Sequence, residues 1–233
     1  GTTILLRLLW QTDRFATHTY QDMPFLLCPL LWNRFTRQFA TDATTRERAH
    51  ADGLTVSETS PEAFEEMIWK HFWPEAYRGD CIEPWSDNDQ NSSFNRFFAT
   101  HIRKVIAVRS TDGSADLRYL SKNNLNIARL GALPPPLQQG TFLVPFRAPL
   151  QQAASMLQQH ERFLSIHEAD DFVREYMEAI GHHEFGKGLR PINFDGWVQE
   201  APNASQLTFW VQYWIAAYEY VLDRTDENVV LLS

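Results

Sequence analysis

The stretch from Leu117 to about Arg162 constrains the fold more than any other part of the chain. Leu117-Arg118-Tyr119-Leu120-Ser121 reads as a strand and residues 124–132 as a helix. Pro134-Pro135-Pro136 interrupts the backbone. Thr141-Phe142-Leu143-Val144-Pro145-Phe146 reads as a second strand, and residues 149–162 as a helix. Strands that alternate with helices at this spacing are joined by crossovers, and crossovers make neighbouring strands parallel. The expected class is therefore α/β, with a central, mainly parallel sheet flanked by helices. The 233 residues suffice for one such domain, and an apolar content of 44% can fill its core, which argues against disorder.

Elsewhere the pattern predicts a helix over residues 3–11, a strand over 15–20, and a loop and helix from Pro24 onward. Residues 41–58, with Arg46-Glu47-Arg48, are polar and partly irregular. Ser60-Pro61-Glu62 has the form of a helix start: an N-capping serine, a proline at the first helical position and an acidic residue at the positive end. On that reading Glu62, Glu65 and Glu66 share one helix as a solvated face. Residues 79–93 read as loop, 94–104 as helix and 105–109 as a strand. Further helices are expected at 168–180 and 206–223, the second with core aromatics from Phe209 to Trp214, and a last strand at 228–232. Gly1-Thr2-Thr3 runs straight into an apolar helix, and the last strand ends at the chain's end. The expectation is one domain over residues 1–233 that lacks its first strand and its C-terminal end.

The net charge of −8 argues against a nucleic-acid binder, which needs a broad basic face. It leaves room for an anionic nucleotide, because a pocket needs only a few cations. Two cysteines, Cys28 and Cys81, form no disulfide framework, so a reducing cytoplasm is expected. The longest apolar run, Phe25 to Trp32, is too short for a membrane span and contains Pro29. His182-His183-Glu184 lacks metal-ligand spacing, since adjacent side chains point apart, and no metal is expected. No GxSxG elbow or Cys-His arrangement suggests a hydrolase.

The chemistry concentrates after the second strand of the central stretch. In Val144-Pro145-Phe146-Arg147-Ala148-Pro149 the strand ends at an arginine and a proline opens a helix. Ser155 follows eight residues after Arg147, on that helix's second turn. A guanidinium is a planar fork of donors that fits a phosphate, and a hydroxyl adds another bond. Ligands of parallel α/β sheets bind beyond the carboxyl ends of strands, where Arg147 falls.

An arginine at a strand end with a serine eight residues on resembles the 3′-phosphate-binding pattern of the sulfotransferases. These enzymes take a sulfuryl group from 3′-phosphoadenosine 5′-phosphosulfate (PAPS) and release the 3′,5′-bisphosphate (PAP). Two further features are similar. Gly1-Thr2-Thr3 matches the end of that family's phosphate loop, where helix N–H groups and hydroxyls hold an anion. Lys122, in Tyr119-Leu120-Ser121-Lys122-Asn123, matches the lysine that many members carry at a strand end one βα unit earlier. The strand and the basic residue that the family places before its Gly-Thr-Thr are not in this sequence.

The resemblance implies a P-loop-NTPase-like three-layer fold. It implies that Arg147 and Ser155 hold the 3′-phosphate, that Gly1, Thr2 and Thr3 hold the 5′-phosphosulfate, and that Lys122 stabilises the leaving charge. Relatives place the general base after the second strand, which here offers Asp22 first and His18 second. Gly186-Lys187-Gly188 reads either as part of a C-terminal cofactor loop or as a plain turn. The acceptor is open among glycan, lipid and small-molecule hydroxyls, with peptide tyrosine less favoured. Two alternatives share the outline. A P-loop kinase would need GxxxxGK[ST], which does not occur in the sequence, and a sulfotransferase-like protein could bind PAP without turnover.

Overall fold

The computed structural model describes residues 2–36, 46–47, 55–86, 88–110, 116–224 and 228–233. Helix and strand are mixed, as the α/β class requires, and no helix among the described residues is long and apolar enough to cross a membrane. The chain divides into two compact units. The first comprises Gly1–Ile68 and Ser92–Asn123, the second Trp69–Asn91 and Asn124–Ser233.

In the first unit, helix α1 (Thr2–Trp10) leads into strand β1 (Phe15–Ala16), and helix α2 (Pro29–Thr36) follows. A short antiparallel ladder joins β2 (Arg46–Glu47) to β3 (Thr55–Val56). The remainder of the polar 41–58 segment lies largely outside the described residues. Helix α3 (Glu66–Phe72) starts later than expected. Ser60 and Pro61 do not open it, because Pro61 bridges to Thr19 and the Glu62 amide donates to the His18 carbonyl. That backbone is committed to strand-like pairing and cannot begin a helix.

Helix α4 (Ser92–Arg109) runs through residues 105–109, where a strand was expected. Phe94, Phe98, His101, Val105 and Val108 are buried along it. These positions recur at intervals of three and four, so they form one helical face, and burial of that face outweighs the strand preference of the β-branched residues. Strand β4 (Arg118–Tyr119) then pairs in parallel with β1, placing Phe15 opposite Arg118 and Ala16 opposite Tyr119. Leu6, Ala16, Leu26, Phe64 and Ile68 complete this unit's core.

In the second unit a 3₁₀ segment, Asn124–Arg129, stands where a full helix was expected. Strand β5 (Phe142–Pro145) and helix α5 (Pro149–Ala169) fall where the sequence places them. Helices α6 (Asp171–Ala179) and α7 (Leu207–Leu222) and strand β6 (Val229–Leu232) do likewise. Strands β5 and β6 pair in parallel from Phe142 opposite Val229 to Pro145 opposite Leu232. Parallel pairing thus occurs as expected, but between strands distant in sequence. Neighbours β4 and β5 belong to different units and are not ladder partners.

Aromatic packing dominates the second unit. Phe209 and Trp210 on α7 pack with Ala153 of α5, while Tyr220, Phe194, Trp85 and Tyr77 form a second cluster. Each such ring, fully buried, stabilises by about 1.5–3 kcal/mol relative to exposure. The fully buried Arg129 guanidinium lies 3.9 Å from the Trp69 ring centre and 4.6 Å from that of Trp85.

Candidate functional site

Arg147 stands two residues beyond β5, and the ladder there ends with the Phe146 amide donating to the Leu232 carbonyl. Pro149 opens α5 with no first-turn N–H to leave unsatisfied. Helix α5 buries Ala153, His160, Phe163 and His167 along one face. Its other face carries Gln151, Ser155 and Gln158 into solvent. The result is an open groove of about 560 Å³ lined by Arg147, Gln151, Ser155, Gln158, Glu161 and Leu207. The structure therefore brings Arg147 and Ser155, eight residues apart, to one surface. The Arg147 Nε donates to Gln151 Oε1 at 3.3 Å.

The other sequence candidates lie in the first unit. Thr2 and Thr3 form the start of α1, and Gly1 is outside the described residues. Lys122 follows β4 and is half-buried. The segment that carries it is tied on both sides of the lysine. The Tyr119 hydroxyl donates to Glu65 at 2.9 Å, and the Asn123 amide donates to Glu66. Glu62 is engaged similarly, by the Tyr20 hydroxyl at 2.7 Å. Glu62, Glu65 and Glu66 are thus buried acceptors, not the solvated helix face expected of them.

His18 and Asp22 are both buried, within an assembly that also includes Arg109 and His101. The Asp22 carboxylate accepts from the Thr19 amide at 2.8 Å and from the Arg109 guanidinium. Arg109 also donates to the Thr17 carbonyl at 3.2 Å and the Thr19 hydroxyl at 3.0 Å. His18 Nδ1 lies 3.6 Å from Asp22, and His18 Nε2 lies 3.3 Å from His101 Nε2. The His18–Asp22 separation is longer than a hydrogen bond, and of the two facing Nε2 atoms one carries the proton that the other accepts.

Burial by itself would raise the Asp22 carboxyl, but the adjacent His18 imidazole and the Arg109 charge outweigh it and hold it below the usual range. Burial, reinforced by His18, lowers His101 to about 3. The Tyr119 hydroxyl is pushed well up, first by burial and then by Glu65. Arg109 and His101 gave no signal in the sequence beyond helical spacing.

The Gly186-Lys187-Gly188 turn is held on α5. The Gly186 amide donates to His160 Nδ1 at 3.1 Å and the Lys187 amide to His167 Nδ1 at 3.2 Å. Lys187 pairs with Glu168. Ser155 lies twelve residues from His167, about 18 Å along the helix at 1.5 Å per residue. The turn meets the buried His160–His167 face of α5, whereas Ser155 and Gln158 stand on its exposed face. Among the described residues no group of three or more His, Cys, Asp or Glu side chains is arranged to hold a metal ion. Compared with models of known families, with curated proteins and with solved structures, the chain matches none.

Proposed function

We propose that this chain is a PAPS-dependent sulfotransferase, with the three-layer, P-loop-NTPase-like arrangement that such an enzyme requires. The observation that carries the reading is that Arg147 and Ser155 line one groove beyond a parallel strand. There the arginine would meet the 3′-phosphate with its fork and the serine with its hydroxyl. Gly1, Thr2 and Thr3 are assigned to the 5′-phosphosulfate, with Thr2 and Thr3 at the start of α1, where helix amides favour an anion.

In the transfer the acceptor oxygen attacks sulfur, the bond from sulfur to the bridging oxygen breaks, and PAP leaves with that electron pair. Lys122 is assigned to the charge that gathers on the bridging oxygen, and its anchored segment suits that role because a preorganised cation need not move during the reaction. The acceptor's proton is assigned to the His18–Asp22 pair. Within the pair Asp22 is the first choice of base and His18 the second, since His18 Nε2 already faces His101. The acceptor would be a glycan, lipid or small-molecule hydroxyl. The two free thiols, Cys28 and Cys81, fit a reducing cytoplasm.

Calorimetric titration with PAP, using AMP as the control, tests the reading. The two ligands differ by the 3′-phosphate alone, and a groove built to hydrogen-bond that group favours PAP by about tenfold or more. Equal affinities would refute the assignment.

A further inference from the structure

We infer that Gln151 is a specificity-determining residue of the Arg147–Ser155 groove, which it tunes toward a terminal phosphate monoester. The inference rests on the functional reading above and extends it to a residue that the sequence did not single out. A guanidinium only donates, so the Gln151 side-chain atom 3.3 Å from the Arg147 Nε must be the amide oxygen. That one contact orients both groups. It uses the Nε–H and leaves the two terminal nitrogens of Arg147 as an end-on fork. It also leaves the Gln151 NH₂, with its two donors, unused by Arg147 at the groove that both residues line.

Gln151 and Ser155, four residues apart, lie on one side of α5's first turns, and Arg147, just ahead of the helix, is tied to Gln151 through its Nε. The groove then offers the Arg147 fork, the Gln151 NH₂ and the Ser155 hydroxyl. A phosphate monoester has three terminal oxygens and two negative charges to receive these donors. A phosphodiester or a carboxylate brings two terminal oxygens and a single negative charge, so it meets the same donors with less charge. Glu161 farther along the groove repels any second anionic group there. The site is thereby matched to a single compact dianion.

The test is calorimetric titration of PAP and AMP against the wild-type chain, Gln151→Ala and Gln151→Glu, repeated in an Arg147→Ala background. Gln151→Ala should weaken PAP by about tenfold, the loss of a bond to a charged group, and leave AMP within twofold. Gln151→Glu keeps an acceptor for Arg147 but removes the donors and adds a charge, so PAP should weaken further. In the Arg147→Ala background the Gln151→Ala effect should shrink, because the two residues act together. Gln151 is exposed, so melting temperatures should not move and would expose any loss of fold. If the wild type prefers PAP and neither Gln151 variant changes that preference, this inference is wrong and the functional reading stands. If the wild type does not prefer PAP, the functional reading fails and takes this inference with it.

Discussion

Replacing Gly186 with alanine should destabilise the second unit by about 3–4 kcal/mol, combining a left-handed backbone penalty of about 1–2 kcal/mol with about 1 kcal/mol for each of two hydrogen bonds. Gly186 has φ +72°, a conformation that L side chains rarely adopt. A methyl group there would sit 2.6 Å from His167 Nδ1, 2.8 Å from its Cε1 and 3.0 Å from the Phe163 Cβ. Both neighbours are buried on α5 and cannot swing away. The turn must lift instead, which breaks the hydrogen bonds from the Gly186 and Lys187 amides to His160 and His167. Gly196 supplies the control. Its φ is +85°, but a methyl group there meets nothing within 4 Å, so Gly196→Ala should carry the backbone penalty alone. Urea unfolding followed by tryptophan emission reads both, because Trp210 packs against His160 and Phe185 beside the turn. If Gly186→Ala costs no more than Gly196→Ala, the close packing of the turn on His167 is refuted.

Steady-state kinetics should separate two cations. Lys122→Ala should lower turnover by about a hundred- to a thousand-fold with little change in PAP affinity. Arg147→Ala should mainly raise the Michaelis constant for PAPS, because the 3′-phosphate keeps its charge throughout the reaction. Near-normal turnover in a folded Lys122→Ala protein would remove the lysine from the mechanism. Acid should destabilise the first unit through His101, whose folded-state pKa of about 3 lies below the ordinary imidazole value. Its stabilisation is complete above the unfolded value of about pH 6.5 and is lost as pH falls toward the folded value. His101→Phe should flatten the pH dependence of the urea midpoint over that window, and an unchanged slope would show that His101 titrates freely.

The parts legible in the sequence are those punctuated by local chemistry. Strand β5 and helix α5 fall where Thr141–Phe146 and Pro149 place them, since proline marks both the end of one and the start of the other. The misread parts depend on partners far along the chain. Glu62, Glu65 and Glu66 look like a solvated face because their donors are Tyr20, Tyr119 and Asn123, 42, 54 and 57 residues away. Val105 and Val108 favour a strand by local preference, and only burial beside Phe98 and His101 makes them helical. For the site, Arg147 and Ser155 were legible from their spacing. Gln151 between them was not, because a glutamine on a helix surface has no character until a neighbouring guanidinium fixes which of its amide atoms is the acceptor.

The two polar assemblies differ in what they leave over for a ligand. Asp22 spends its carboxylate on Thr19, Arg109 and His18, in a buried setting where an unpaired charge would be costly. Arg147, Gln151 and Ser155 are exposed, and one bond between the first two leaves the fork, the amide donors and the hydroxyl unspent. A net charge of −8 repels a dianion at long range, but salt screens that repulsion beyond about 8 Å at physiological ionic strength. Short-range donors then decide binding, and a groove with one guanidinium and directed neutral donors suits an anionic ligand on an acidic protein. A broad basic face would be needed only for a long polyanion, and the chain's acidity and the groove's chemistry are in that sense consistent.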